Sequence, residues 1–330
     1  MCCISVINIK VDLTTKINEA GMSSRTTQRV VVLMGGISLE REVSLSSGRC
    51  CASALRETDK FEIFELVADS TVAKTLDEIS PDVVFNALHG RWGEDGAVQG
   101  ILEWLKIPYT HSGIFTSAMC MDKLKTKSAY EMAGLPVAKS VHVSREKVLK
   151  NHIMDPPYVI KPINEGSSVG VHIIPLGSNM PPRLDGAMPE YVMVEEFVDG
   201  RDLTVTVIGS RENSRALAVT DVITDGWYDY HAKYSIGGST HVVPADIPNE
   251  IKTACLDYAK KAHQFLGCRG ISRTDFRWND SKEKDGLFLL ETNTQPGMTP
   301  MSLAPEQALF CGITLSKLCS SLIEDASCNR

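Results

Sequence analysis

Residues 270–278, GISRTDFRW, and residues 287–293, LFLLETN, decide how the rest of this chain is read. Turn formers bound both runs: Asn279-Asp280-Ser281 follows the first and Asp285-Gly286 precedes the second, so each is expected to be a strand. On an extended strand, positions i and i+2 share a face. Arg273 therefore sits with Asp275, and Glu291 with Asn293. If the two strands pair as a hairpin, Asp275, Glu291 and Asn293 converge beside the Arg273 cation. Three oxygen donors suit magnesium or manganese, because hard cations prefer carboxylate, amide and water oxygens. A solvated polar face of a half-buried sheet would carry the same pattern.

Outward from this hairpin, the flanks read as helices. Ile251, Cys255, Tyr258, Ala262 and Phe265 recur at helical spacing and end at Gly267, a left-handed cap. Leu315, Leu318, Cys319 and Leu322 form the inner face of a terminal helix. Further upstream lie a strand at Leu203 to Ile208 and an aromatic-rich stretch, Trp227-Tyr228-Asp229-Tyr230-His231-Ala232-Lys233-Tyr234. A central unit has a helix near Thr116 to Ala133, an extended segment ending in Tyr158-Val159-Ile160-Lys161-Pro162, the run Glu165-Gly166-Ser167-Ser168-Val169-Gly170, and a strand at Val171 to Ile174. Glycines let backbone N–H groups approach an anion, hydroxyls add donors and a lysine adds charge, so this loop suits a polyphosphate. An ordinary hairpin turn would look similar. Neither G-x-x-x-x-G-K-[ST] nor G-x-G-x-x-G occurs.

The N-terminal part alternates element types. Val30 to Met34 is an apolar strand broken by Gly35-Gly36, after which Val43, Ser47, Cys50 and Ala54 recur at helical spacing. Asp82 to Leu88 is a second strand, followed by His89-Gly90, a glycine loop and a helix with Val98, Ile101, Leu102 and Leu105 inward. Such alternation implies a parallel sheet flanked by helices, with ligands at the carboxyl ends of the strands.

A chain of 330 residues is expected to form two or three domains. The organisation expected is a tail over 1–24, an α/β domain over 25–111, and two further units over 112–196 and 197–330. Its 43% apolar and 23% charged content is that of an ordinary globular protein, and a net charge of −7 offers no global attraction to nucleic acid or to an anionic membrane. No run approaches a membrane span, and the first residues lack the pattern of a signal peptide. The ten cysteines fall as Cys2-Cys3, Cys50-Cys51 and singletons without a C-x-x-C pair, the pattern expected of reduced thiols in the cytoplasm.

Seven ordered motifs then carry a resemblance: GGISLEREVSLSSG at 35–48, LHGRWGEDGAVQG at 88–100, MDKLKTK at 121–127, KPINEGSSVGV at 161–171, YDYHAKY at 228–234, SRTDF at 272–276 and ETNTQPGMTPMSL at 291–303. The chain resembles the ATP-grasp enzymes, and among them the D-alanine:D-alanine ligase family, from about Val30 to the terminal helix. The resemblance implies a mixed α/β fold, in which an ATP-grasp core follows a Rossmann-like parallel-sheet domain. It implies ATP as a substrate, two Mg2+ (or Mn2+) ions held by Asp275, Glu291 and Asn293, and formation of D-alanyl-D-alanine through an acyl phosphate.

By the same resemblance, Lys123, Lys161, Ser167 and Ser168 hold ATP phosphates, Glu195, Glu196, Phe197 and Val198 hold adenine, and Asp202 holds ribose. Glu40 binds the first D-alanine ammonium, and Lys233, Ser302 and Leu303 bind the second D-alanine, with His89 nearby. Arg273 and the Gly297 N–H face the oxyanion, while Ser167, Tyr234 and Glu40 fasten two loops over the site. Position 202 is usually a glutamate in this family, and position 231 is often acidic where this chain has His231. The retained Lys233-Tyr234 pair favours the dipeptide over a D-lactate ester, and relatives are usually homodimers. Simpler roles exist for single residues: Glu40 at a helix N-terminus, Tyr234 packed on a sheet, Arg273 paired with Asp275. The alternatives are a ligase for another carboxylate and amine, or a non-catalytic ATP-binding protein.

Overall fold

The computed structural model describes residues 27–166, 169–184, 188–224 and 238–329. The expectations for the tail, for Ser167 and Ser168 and for Lys233 and Tyr234 lie outside the described residues.

The N-terminal strands are β1 (Gln28–Gly35), β2 (Phe61–Ala68) and β3 (Val83–Asn86), hydrogen-bonded in the order β2-β1-β3 and parallel throughout. Helices α1 (Arg41–Arg56), α2 (Val72–Ile79) and α3 (Ala97–Leu105) connect or follow them. Every residue of β3, and Val30 to Met34 of β1, is buried, as expected of a sheet covered on both faces. The buried face of α1 is Ser44, Leu45, Ser47, Gly48, Cys51, Ala52, Ala54 and Leu55: Ser47 and Ala54 are buried as their spacing suggests, while Val43 and Cys50 are half-buried. A methyl added at Gly48 would lie 2.5 Å from the Met34 Cβ, so the glycine lets the helix approach β1 closely.

The single helix expected over 116–133 is two, α4 (Ile114–Met121) and α5 (Lys123–Met132). Asp122 breaks them. Its backbone is extended, and its side chain accepts from the N–H groups of Leu124 and Lys125 at 3.0 Å, capping the second helix.

An antiparallel four-stranded sheet follows, in the order β4-β7-β5-β6, from β4 (Ser140–Ser144), β5 (Tyr158–Pro162), β6 (His172–Ile174) and β7 (Tyr191–Glu196), with α6 (Arg145–Lys150) after β4. The C-terminal sheet is antiparallel and five-stranded. Its strands are β8 (Arg201–Ile208), β9 (Arg215–Ile223), β10 (Thr240–Val242), β11 (Ile271–Trp278) and β12 (Leu287–Asn293), in the order β10-β9-β8-β11-β12. Helices α7 (Asn249–Phe265), α8 (Leu303–Phe310) and α9 (Leu315–Glu324) complete the chain, and Gly267 beyond α7 has the left-handed φ of +74° expected of its cap.

Two cores position the site. Val205, Val219, Cys255, Ala259, Phe276 and Leu289 bury the five-stranded sheet against α7. A second core joins Val32, Met34 and Phe85 of the parallel sheet to Met298, Ala304 and Leu318, so the C-terminal helices close the N-terminal domain. Among the described residues no helix is long and apolar enough to cross a membrane.

Candidate functional site

The two decisive segments pair as an antiparallel hairpin. Arg273 lies opposite Asn293 and Asp275 opposite Glu291, and the register shifts immediately afterwards, between Asp275 and Phe276. All four side chains therefore share one face, and Asp275 and Glu291 form the floor of a cleft. Its walls include Lys123, Lys161, Glu165, Asp202, Thr204, Leu290 and Leu303.

Asp275 is held from two sides. The Arg273 guanidinium donates to both its oxygens, at 2.8 and 2.7 Å, and Thr204 of the neighbouring strand donates at 2.6 Å. The simple pairing of Arg273 with Asp275 is thus present, and it fixes the guanidinium beside that carboxylate. Lys123 Nζ stands 3.5 Å from a Glu291 oxygen and donates to the Glu165 carbonyl at 2.6 Å, tying the glycine loop to the floor. Lys123 opens α5 directly after the Asp122 cap, so the break in the expected long helix aims this lysine. Asn293 Oδ1 accepts from the Gln295 N–H at 2.7 Å. The Gln295 amide in turn joins Asn86, at 3.0 Å, and the Leu88 carbonyl at the end of β3.

The roof is the four-stranded sheet. Lys161 and Glu195 are diagonal neighbours on adjacent antiparallel strands, because Val159 faces Glu195 directly. The Glu195 carboxylate is ion-paired to Lys161 and also to Lys127 of α5, and all three are buried. Burial alone would raise the Glu195 carboxyl, but the two lysines pull it below the usual carboxylate range. Glu196, Phe197 and Val198 line a separate hollow with Ile173, Leu176 and Phe288. Asp202 accepts from Arg277 at 2.7 Å, and Arg277 also donates to the Val198 carbonyl at 3.0 Å.

At the far end lies Glu40, which precedes α1 and is 8% exposed. It occupies the N-cap position of α1, where its charge faces the positive end of the helix, and its side chain makes no capping bond. A methyl built on Gly90 would lie 2.5 Å from Glu40 Oε2, and one built on Gly166 would lie 3.2 Å away. The carboxylate thus touches the backbone of the first domain and that of the glycine loop together. His89 is buried beside it, its ring nitrogens 2.9 Å from Ser47 Oγ and 3.1 Å from Glu94 Oε1. Burial raises the Glu94 carboxyl, and the Glu40 charge adds to the rise, with His89 opposing it. Ser47 also accepts from the Met298 N–H at 3.2 Å, which docks the 295–299 loop on α1.

Ser302 occupies the N-cap position of α8, yet its hydroxyl is 2.8 Å from Thr299 Oγ1 and accepts from the Thr299 N–H at 3.2 Å. Gly297 lies against it: a methyl at 297 would be 2.9 Å from Ser302 Oγ. The first turn of a helix has N–H groups without intrahelical partners, so Leu303, which lines the cleft, brings an anion-binding helix end to it.

The donor set fits a hard divalent cation: two carboxylates and an amide oxygen on one face of a strand pair, with Asp275, 19% exposed, and Glu291, 30% exposed, lining the cleft. Among the described residues no cluster of three His, Cys, Asp or Glu gathers.

Several residues behind this cleft carry weaker signals in the sequence. Lys127 is one turn from Lys123 on α5, a spacing that puts both on one side of the helix. Arg277 extends the i,i+2 series of Arg273 and Asp275. No local pattern marks Gln295 or Gln307, whose partners are distant in the chain.

Residues 130–324 match the family model described as D-ala D-ala ligase C-terminus, and residues 65–112 the model described as D-ala D-ala ligase N-terminus. The chain is 63% identical over 310 residues to a D-alanine–D-alanine ligase of Ruegeria pomeroyi, spanning 94% of this chain and 100% of the relative. It is 60% identical over 311 residues to one of Cereibacter sphaeroides, with the same coverage. Among solved structures it resembles the D-alanine–D-alanine ligase of Bacillus anthracis complexed with ATP, at a TM-score of 0.72 and 26% identity over 91% of this chain and 97% of that one.

Proposed function

Because the chain belongs to the D-alanine–D-alanine ligase family, it is an ATP-dependent ligase of peptidoglycan synthesis that joins two D-alanine molecules, and we propose the following roles for its residues. A carboxylate is a poor electrophile, so the carboxylate oxygen of the first D-alanine attacks the ATP γ-phosphorus. An O–P bond forms, the bond to ADP breaks, and an acyl phosphate results. The amine of the second D-alanine then attacks the acyl carbon, and the tetrahedral intermediate expels phosphate.

Lys123 and Lys161, with Ser167 and Ser168, hold the phosphates, and the Glu195–Val198 hinge holds adenine. Asp202 holds ribose; it is one methylene shorter than the family's glutamate, and its pairing with Arg277 keeps the carboxylate at the cleft wall. Asp275, Glu291 and Asn293 would hold two divalent cations, magnesium or manganese, which offset the repulsion between anionic nucleophile and triphosphate. Glu40 accepts the first ammonium, with His89 orienting the wall beside it. Lys233, Ser302 and the Leu303 helix end take the second carboxylate. Arg273 and the Gly297 N–H donate to the oxyanion. Ser167, Tyr234 and Glu40 fasten the loops that exclude water from the acyl phosphate.

The observation that carries this reading is the hairpin register, which lines up Arg273, Asp275, Glu291 and Asn293 across from Lys123. The test incubates the protein with ATP, magnesium and D-alanine labelled with 18O in its carboxylate. D-alanyl-D-alanine, ADP and labelled phosphate are expected, with the dipeptide preferred over the ester when D-lactate competes at neutral pH. AMP as product, or unlabelled phosphate, would overturn the acyl-phosphate route.

The division into domains at 25–111, 112–196 and 197–330 is proposed with it, supported by one sheet falling in each. A homodimer is supported by Trp104 and Phe115, 88% and 75% exposed on α3 and α4, and sedimentation tests it. The eight described cysteines are free thiols, which suits the cytoplasm.

A further inference from the structure

The MDKLKTK motif ends in a lysine that the reaction as described leaves unused. Lys127 is 6% exposed and does not line the cleft, whereas Lys123, one turn earlier, does. Its ammonium is bound to one oxygen of Glu195, and the other oxygen of Glu195 is bound to Lys161. Three elements, α5, β5 and β7, thus meet in a buried cation–anion–cation row, with Lys161 at its cleft end.

Such a row has a definite electrostatic consequence. A carboxylate paired with one lysine forms a neutral couple, which presents little field to a triphosphate. Shared between two lysines, the row keeps a net positive charge, and its exposed end is the Lys161 ammonium. In a poorly solvated site that surplus is weakly screened.

We propose that Lys127 is a positioning residue for the nucleotide: by engaging Glu195 from behind, it keeps the Lys161 ammonium available to the ATP phosphates. Burial lowers the proton affinity of Lys127, and the Glu195 carboxylate opposes that fall. The inference rests on the proposed ATP site and adds to it a residue that touches no phosphate.

The test measures binding of ATP and of adenosine to Lys127→Met, Lys127→Arg, Glu195→Gln and the Lys127→Met/Glu195→Gln double variant, by calorimetry without D-alanine. Methionine matches the lysine stem and leaves Glu195 paired with Lys161, so the fold is retained, as thermal melting verifies. Lys127→Met is expected to weaken ATP binding about tenfold and adenosine binding less than twofold, with Lys127→Arg restoring most of the loss. In the Glu195→Gln background, Lys127→Met should change ATP affinity less than twofold. Equal losses for ATP and adenosine, or an undiminished loss in the Glu195→Gln background, would overturn the role of Lys127. Failure of the unaltered protein to bind ATP would instead overturn the site itself.

Discussion

Gly90→Ala isolates the contribution of the Glu40 carboxylate without touching a side chain of the reaction. Gly90 has a φ of +70°, and a methyl placed on it would stand 2.5 Å from Glu40 Oε2 and 3.3 Å from Ser38 Oγ. The nearest obstacle is the end of a flexible side chain, so the fold survives and the carboxylate moves. Reaching an ordinary contact takes a displacement of about 1 Å. A shift of that size in a group that orients a substrate costs roughly 100-fold in rate. The left-handed backbone adds a strain of about 1–2 kcal/mol for any L-residue, which must be separated from the displacement. Gly312→Ala provides the control, because Gly312 has a φ of +78° and nothing within 4 Å of the added methyl. Both variants should lose similar stability in thermal melts. Initial rates at saturating ATP, with D-alanine varied, should show kcat/KM for D-alanine down roughly 100-fold in Gly90→Ala. Values for the two variants within about threefold of each other would refute the reasoning, because strain alone would then explain the effect.

Arg273→Ala should lower kcat by roughly 100-fold or more if the guanidinium donates to the oxyanion; unchanged turnover would remove Arg273 from the mechanism. Glu291→Gln should weaken binding of the metal–nucleotide complex, since Glu291 is the carboxylate shared by Lys123 and the proposed cations. A magnesium titration with unaltered midpoint would argue against that sharing. His263 supplies a pH prediction. Its buried ring satisfies both nitrogens while neutral, at Ser272 Oγ and the Gly209 carbonyl, and burial lowers its pKa from 6.5 to about 4. The unfolded chain binds the proton more tightly, so this contribution is present above pH 6.5 and is lost as pH falls towards 4. The full difference is about 3 kcal/mol. His263→Gln should flatten the stability profile between pH 4 and 6.5, and an unchanged slope would exclude the histidine as its source.

Much of this cleft was legible because its chemistry is written at short range. The period of two along β11 and β12 is enough to place Arg273, Asp275, Glu291 and Asn293 on one face, and the register bears that placement out. The parallel N-terminal sheet was legible for a similar reason, since apolar strand, glycine turn and helical stripe follow one another within about twenty residues of sequence. The α4–α5 break was less visible. Apolar residues continue through Met119 and Met121, and the Asp122 cap that interrupts them is a single side chain competing with a regular pattern. The close approach of α1 to β1 depends on how small Gly48 is against Met34, a packing fact that periodicity does not encode.

Long-range amides lay beyond such reading, and they explain how the separate parts act together. The β8–β9 register shifts between Val205 and Val207, and the buried Gln307 amide bridges this part of β8. It accepts from the Thr206 N–H at 2.7 Å and donates to the Thr204 carbonyl at 3.2 Å. The helix that carries Ser302 and Leu303 is thereby fixed to the strand whose Thr204 hydroxyl holds Asp275. The Gln295 side chain joins Asn86 and the Leu88 carbonyl at the end of β3, beyond which lie His89 and Gly90, while its backbone N–H donates to Asn293. A buried amide left without its partners is costly, so neither link breaks without disturbing the strands it joins. The proposed metal ligands, the second-substrate helix and the wall beside Glu40 are therefore positioned by one hydrogen-bonded frame. In that frame a displacement at Gly90 is expected to be read at Glu40 and not at Asp275, because Gln295 holds the Asn293 end in place.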